Sequence, residues 1–578
     1  MSTAVKARPA EAPAAPTGFH ELPRQQLILT MLGLMLTLLL SALDQTIVGT
    51  AMPRIIADLQ GFDHYAWVTT AYLLSSTAVV PIVGKLSDIY GRKLFLVGGA
   101  VLFIFASALC GLSQNLWQLI AFRGLQGIGG GILMAMVFTT VSAIFPPAQR
   151  GRVQGVFTSV FGFSSVVGPL LGGYLTDSLS WRWVFYVNLP IGLIALAVLW
   201  LGFPNIKPAR TNHPIDILGA ITLVLGVVPL LLALSWGGGD YAWSSPQIIG
   251  LLSFSAIMVG VFLFIETRAP EPIIPLSLFK NPVVAIATLS MMLVTMGMFG
   301  TILFVPLFIQ GVIGASASQS GTVMMPMMMT IIVGSTVSGQ IISRTGRYKL
   351  VAVFGMAVAS FGMFLLSQMG PDASYWTVVR NMMVVGLGLG PTMPVFTIAA
   401  QNSVAFRQLG VVTAVTQFAR SIGGTLGAAL FGSLLINRFG SALREALPAQ
   451  AAAVIPPDQL DRIQNPQVLL NPQMSSSLQS GLEAAGPQAA QAYGTLIDAI
   501  RMGLATSLHE TFMVGAVVVG LGLVAVLFLR ELPLRKSFGD APGAGNPAQA
   551  GEGAGHAGGQ PAVAPMSASA LVDAEPLA

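Results

Sequence analysis

The sequence predicts an all-α polytopic membrane protein. Its fourteen transmembrane helices are grouped as two six-helix bundles with two extra helices between them. Three observations predict this. Of the 578 residues, 54% are hydrophobic and only 9% charged, against about 25% charged in soluble domains, and the mean hydropathy is +0.76. Fourteen separate runs are long and apolar enough to cross a bilayer, which takes about 20 residues each. The first half of the chain also recurs in the second at a nearly constant offset.

Residues 1–25 are Ala/Pro-rich with Lys6, Arg8 and Arg24, and they lack the apolar core and cleavage site of a signal peptide. They read as a disordered cytoplasmic tail. Spans follow near 27–49, 66–86, 94–113, 117–142, 153–175, 183–203, 217–236, 247–266, 284–309, 319–342, 349–369, 375–399, 409–435 and 508–530. This gives an N-terminal bundle at 26–203, a linker with two additional helices at 204–283, and a C-terminal bundle at 284–530. Within the last, 436–507 is a long extracytoplasmic loop with short helices near 477–503. Residues 531–578 are Gly/Ala/Pro/Ser-rich without periodicity and form a disordered cytoplasmic tail.

Orientation follows from lysine and arginine. With the amino terminus inside, Lys85, Arg92, Lys93, Arg150, Arg152, Arg344, Arg347, Lys349 and Arg407 all fall in inner loops, whereas the short outer loops hold only Arg54 and Arg182. An even number of spans then puts both termini in the cytoplasm, with the protein in the inner (plasma) membrane.

The repeat rests on four matches in order. Gly84-x(6)-Gly91-Arg92 recurs as Gly339-x(6)-Gly346-Arg347, 255 residues on. Arg123 maps to Arg380 and Arg150 to Arg407, each 257 on, and Gly168-x-x-x-Gly172 maps to Gly423-x-x-x-Gly427, again 255 on. Two parallel halves with a site at their midplane interface form a transporter architecture.

The chemistry centres on Asp44. Residues 27–42 carry no charge, and the aspartate follows about one turn from the outer end of the first span. A charge near the middle of a span costs roughly 2.5–3.5 kcal/mol on insertion scales, and such residues mark proton or ion sites by default. The competing reading is a carboxylate that only bonds a neighbouring helix or caps a helix end. Arg123, in Phe122-Arg123-Gly124-Leu125-Gln126-Gly127, puts a guanidinium in the membrane that stays charged. It is expected to face the central cavity and to bias Asp44, the only deep carboxylate available; the alternative is an arginine bonded to backbone carbonyls.

Gly84 to Lys93 reads as a tight cytoplasmic turn in which Gly84 and Gly91 permit close approach and unusual backbone angles. There Asp88 docks on the amino-terminal end of a neighbouring helix and pairs with Arg92, latching one rocking state. The second copy has Ser343 in place of Asp88, so one half alone carries the latch. Gly168-Pro169-Leu170-Leu171-Gly172-Gly173 allows close helix contact with a kink at Pro169.

With these residues in view, the chain resembles the major facilitator superfamily, and within it the fourteen-helix drug:proton antiporters. Gly84–Lys93 resembles the superfamily's signature loop, Arg123-x-x-Gln126-Gly127 its proton-coupling motif, and Gly168-Pro169-x-x-Gly172-Gly173 the antiporter motif. Leu43–Val48, Trp181–Pro190 and Gln417–Gly424 are similar to stretches of the fourteen-helix branch. The resemblance covers about residues 25–530. It implies a proton-coupled multidrug efflux antiporter exporting hydrophobic or amphipathic, often cationic, compounds by alternating access, with Asp44 and Arg123 in proton coupling and Gly84, Asp88, Gly91, Arg92, Gly168, Pro169 and Gly172 in gating. The alternatives are a dedicated exporter of one endogenous metabolite, siderophore or antibiotic, and a proton-coupled importer. Dication exporters in the family carry further acids in the tenth and thirteenth spans, and here 319–342 and 409–435 have none.

Candidate substrate contacts are Gln45, Gln126, Gln310, Met324, Asn381, Gln417 and Arg420. Methionines crowd the ninth and tenth spans and suit either adaptable binding or simple packing. The expected partners are a small-molecule substrate, protons and the lipid bilayer, with a periplasmic adaptor protein as a further partner. No enzyme activity, cofactor or nucleic acid is expected. Basic residues are scattered over loops, no G-x(4)-G-K-[ST] loop occurs, and His64, His213 and His509 lie apart from acids and cysteines, so no metal site is expected. The lone Cys110 reads as a small apolar packing residue.

Overall fold

The computed structural model describes residues 23–59, 65–204, 216–238, 241–315, 317–448, 476, 479–480 and 487–534. His64, His213, Lys207, Arg210 and most of 449–486 lie outside the described residues. Without water to satisfy backbone groups, an apolar span must bond internally, and helix is the form this chain takes; no strand forms among the described residues. Fifteen α-helices are described: α1 Arg24–Leu59, α2 Tyr65–Tyr90, α3 Arg92–Leu112, α4 Leu116–Ile144, α5 Pro147–Ser178, α6 Trp183–Tyr186, α7 Asn188–Gly202, α8 Ile217–Trp236, α9 Pro246–Glu266, α10 Pro282–Leu307, α11 Ala317–Thr345, α12 Lys349–Ser367, α13 Tyr375–Asn402, α14 Leu409–Ala446 and α15 Pro487–Leu527. Short polar side chains start several of them. Asn115, Asp216, Ser245 and Ser374 each accept from a backbone N–H in the first turn of α4, α8, α9 and α13.

Fourteen segments are long and apolar enough to span a membrane, which matches the expected number. Three local expectations change. The first span runs on to Met52, so Asp44 sits about two turns inside its end. Of the helices expected near 477–503, residues 479–480 are helical, and α15 starts at Pro487 and continues unbroken as the last span. The supposed turn at 84–93 is mostly helix: α2 continues through Gly84 to Tyr90, and only Gly91, at φ 94°, breaks the chain before α3.

Helices α1–α7 pack as one group and α10–α15 as another. The glycine motifs explain the repeat physically. Gly168 and Gly172 of α5 seat on Thr46, Ile47 and Thr50 of α1, while Gly423 and Gly427 of α14 seat on the Met292 and Met296 backbone of α10. The α8–α9 hairpin, joined by Ser255 donating to the Gly226 carbonyl at 2.7 Å, touches both groups. Trp236 of α8 lies edge-on to Trp67 of α2 at 5.0 Å, and Trp243 in the connecting loop donates to Ser433 of α14 at 2.9 Å.

The two groups meet at the end rich in basic residues. A Cβ on Gly339 of α11 would fall 2.1 Å from the Gly151 carbonyl oxygen of α5, and one on Gly84 would fall 2.4 Å from Ala414 of α14. Arg150, 1% exposed, donates to the Ser142 and Phe145 carbonyls at the end of α4 and crosses to Gln401 of α13 at 3.1 Å. Gln401 in turn donates to Thr413 of α14. At the opposite end, Trp181 and Arg182 donate to Asp58 at 2.8 and 3.1 Å, within the first group.

Two outcomes follow. Gly339→Leu should hold α5 and α11 apart, so that amide hydrogen exchange across 147–160 quickens by at least about tenfold; unchanged exchange would show that this crossing does not keep the end shut. The bonds from Trp181 and Arg182 hold the Asp58 carboxyl below its ordinary 3.8. A depressed acid contributes its stability above the ordinary value and loses it as pH falls through the lowered one. Tryptophan emission should therefore shift below about pH 3.8 in the wild type and not in Asp58→Ala.

Candidate functional site

The site lies inside the first helix group, where α1, α2, α3, α4 and α7 meet. Asp44 of α1 is fully buried and Arg123 of α4 is 2% exposed. Arg123 donates from one terminal nitrogen to Asp44 Oδ2 at 2.7 Å and to Gln126 Oε1 at 2.7 Å, and from Nε to the Val68 carbonyl of α2 at 3.4 Å. Asp44 Oδ1 accepts from Gln126 Nε2 and from Asn188 Nδ2 of α7, each at 2.8 Å. Ser107 of α3 accepts from Gln126 at 2.7 Å.

Glycines let these groups converge. Gly127 lies against the Tyr72 backbone of α2, Gly129 against Phe103 of α3, and Gly130 beneath the Tyr72 hydroxyl. The Tyr72 ring consequently covers Arg123 at 4.3 Å from its centroid, a cation–π contact suited to a desolvated guanidinium. On the far side of α1, Thr46 donates to the Ser164 carbonyl of α5 at 3.0 Å, so the Gly168–Gly172 seam fixes the turn that carries Asp44.

Electrostatically, this is a neutral buried pair whose remaining lone pairs are met by amides. An ionised carboxylate only accepts, and three N–H donors converge on it. The structure brings Asp44 and Arg123 together as a direct ion pair. The expectation that Arg123 faces a central cavity does not agree with this geometry: packing by Tyr72 and the glycine row seals both groups inside the bundle.

Other expected positions fall as follows. Gln126 belongs to the sealed network and lines no open space. Asn381, 1% exposed, donates to the Leu365 carbonyl of α12 and accepts from Arg380, so it ties α12 to α13. Met324 packs against the apolar core of the second group, and Met292 and Met296 offer their backbone to glycines. Gln45 is exposed beside the network. Gln310 is partly buried in a π-helical stretch, Phe308–Val312, that ends α10. Gln417 and Arg420 lie on α14, the latter partly exposed.

Arg380, the repeat partner of Arg123, is exposed, so the two copies differ. Asp88 rests on the first turn of α14, where a Cβ on Gly410 would fall 2.2 Å from its carboxylate, and Arg92 donates to it at 3.3 Å. His509 is hydrogen-bonded to the Ser367 carbonyl, and no group of three or more His, Cys, Asp or Glu able to hold a metal occurs among the described residues. Sequence reasoning passed over Asn188 and Ser107. The available signal was an asparagine directly before Leu189-Pro190 inside an apolar run.

The family model of the Major Facilitator Superfamily matches residues 34–428. The chain is 43% identical over 515 residues to the multidrug transporter protein MdtP of Bacillus subtilis (strain 168), covering 88% of this chain and 93% of that one. It is 39% identical over 499 residues to multidrug resistance protein 3 of the same organism, covering 86% and 94%. Among solved structures, the human organic anion transporter MFSD10 aligns at 13% identity and TM-score 0.56, covering 87% of this chain and 100% of that one. The proton:xylose symporter XylE aligns at 13% and 0.52, covering 88% and 96%. At that identity the likeness is one of fold.

Removing one member of a buried ion pair costs about 3–5 kcal/mol, whereas removing both costs much less. Arg123→Met should lower the melting temperature in detergent sharply, and Asp44→Asn combined with Arg123→Met should recover most of the loss. Additive losses in that double-mutant cycle would show that the pair is not coupled.

Proposed function

The chain belongs to the major facilitator superfamily, and from that premise we propose that it is a proton-coupled antiporter that exports hydrophobic or amphipathic compounds across the inner (plasma) membrane. The observation that carries this reading is the enclosed Asp44 network: one carboxylate, one guanidinium and two amides, held within a single helix group. A fixed ion pair with no catalytic neighbour suits a group that gains and loses a proton as the bundle moves. Two relatives named as multidrug proteins support export of more than one compound.

In the proposed cycle both termini are cytoplasmic, so the basic end faces the cytoplasm and the conformation described is closed on that side. Asp88 on the first turn of α14 is the latch, since a carboxylate there faces the positive end of the helix. A proton entering from outside neutralises Asp44 and removes the charge on which Arg123, Gln126 and Asn188 converge. Freed of that anchor, α1 shifts against α4 and α7. The Gly168–Gly172 seam carries the shift to α5, whose Gly151 crosses Gly339 at the closed end. The end opens, the proton leaves, and cargo enters. One charge crossing ~100 mV supplies ~2.3 kcal/mol, enough for a gradient of roughly tens-fold in a neutral cargo.

Asp44→Asn keeps the shape of the side chain and removes its titration. In everted vesicles with an imposed pH gradient, it should reduce accumulation of the neutral amphiphile chloramphenicol to the level of protein-free controls. Accumulation equal to wild type would refute Asp44 as the coupling group.

A further inference from the structure

We propose that Arg420 is the recognition point for the acidic head of an amphipathic anion, with Gln417 and Thr288 as flanking donors. This deepens the exporter reading, on which it rests, by assigning the charge of the cargo.

The placement comes first. Arg420 lies eleven residues beyond Leu409, where α14 begins at the basic end, so it stands about 16 Å in at 1.5 Å per residue. That is close to the middle of a hydrocarbon layer about 30 Å thick. Gly423, Gly424 and Gly427 mark the face of α14 that packs on α10, and Gly410 and Ala414 mark the face turned to Asp88 and Gly84 of the first group. At about 100° per residue, Arg420 falls within roughly 60° of the first set and about 120° from Ala414. It therefore lies on the side of α14 that packs on α10, and it is partly exposed there.

The surroundings come second. Among the described residues Arg420 has no hydrogen bond and no ion pair. From Pro282 to Arg444 the sequence holds one acid, Asp372, and it lies between α12 and α13 at the end away from the basic residues. In α15, Asp498 and Glu510 face Arg501 and Arg438. A guanidinium does not shed its charge, and Arg123 at comparable depth has a carboxylate, an amide and an aromatic face. Arg420 has none of these.

Two polar groups at neighbouring positions along α14 and α10 are also without partners among the described residues. Gln417, one turn earlier on α14, makes no hydrogen bond among the described residues. The Thr288 hydroxyl of α10 is buried without a partner, one turn before Met292, which touches Gly423. A fork of N–H groups with an amide and a hydroxyl beside it fits a carboxylate or sulfonate. A cationic cargo would meet an uncompensated like charge at the same place. An anion leaving a negative interior while a proton enters moves two charges with the potential.

Wild-type protein in proteoliposomes with an imposed pH gradient tests this with three probes: taurocholate (permanently anionic), ethidium (permanently cationic) and chloramphenicol (neutral). Taurocholate should be carried at least about tenfold better than ethidium. Arg420→Gln should lower the taurocholate-to-chloramphenicol ratio by about tenfold or more, and Arg420→Lys should recover part of it, because charge returns without the fork. If Arg420→Gln does not reconstitute, the same ratio is read in Arg420→Lys, where a value equal to wild type overturns the bidentate site. Preference of the wild type for ethidium, or an unmoved ratio in Arg420→Gln, overturns the inference. Transport of chloramphenicol without taurocholate overturns the anion site alone, whereas movement of none of the three overturns the exporter reading itself.

Discussion

The ion pair between Asp44 and Arg123 is the interaction on which the first helix group depends. Neither charge is tolerable alone in a bilayer interior, and together they still need their remaining valences met. Four helices hold the charged groups and their direct partners, so α1, α2, α4 and α7 cannot separate without breaking a charge-assisted bond, and α3 joins them through Ser107. The row Gly127-Ile128-Gly129-Gly130-Gly131 follows from the same need, because backbones must come close for Tyr72 to lie over the guanidinium. The pair therefore fixes both the packing of this group and the state of charge that holds it together.

The second group repeats the helix order without repeating the charge balance. Arg380 stands where Arg123 would, yet it is exposed and bonds its own neighbour Asn381. The unpaired cation inside this half is instead Arg420, which is partly exposed and has no ion pair among the described residues. The deep arginine Arg123 of one half has a carboxylate beside it, and Arg420 of the other has none among the described residues. The glycine seams match almost exchangeably, since Gly168 and Gly172 do for α5 on α1 what Gly423 and Gly427 do for α14 on α10. Helix contacts need only small residues at a fixed period, whereas charge placement is settled one residue at a time.

That distinction also explains what could be read from the chain. Span number came from hydropathy, because lipid forces each apolar run into helix. Asp44 and Arg123 stood out because ionisable residues are rare in such runs, and each was the other's only available partner. Asn188 and Ser107 did not stand out, since small polar residues are common in spans and only geometry aims them at Asp44. Gly84 was read as a turn residue because it opens a glycine-bounded motif; packing on Ala414, which no local pattern encodes, keeps it helical. Gln126 and Asn381 were assigned to a cavity on polarity alone, and both were claimed by internal acceptors.

The α8–α9 hairpin is held to one half through Trp67 and to the other through Ser433. In the proposed cycle, pivoting of the two bundles changes the span between those two anchors. One anchor must slip, and the weaker polar link, Thr70 to Ser235 at 3.5 Å, sits beside the aromatic one. In that cycle the grip of the hairpin bears on how fast the two bundles exchange rather than on what they carry.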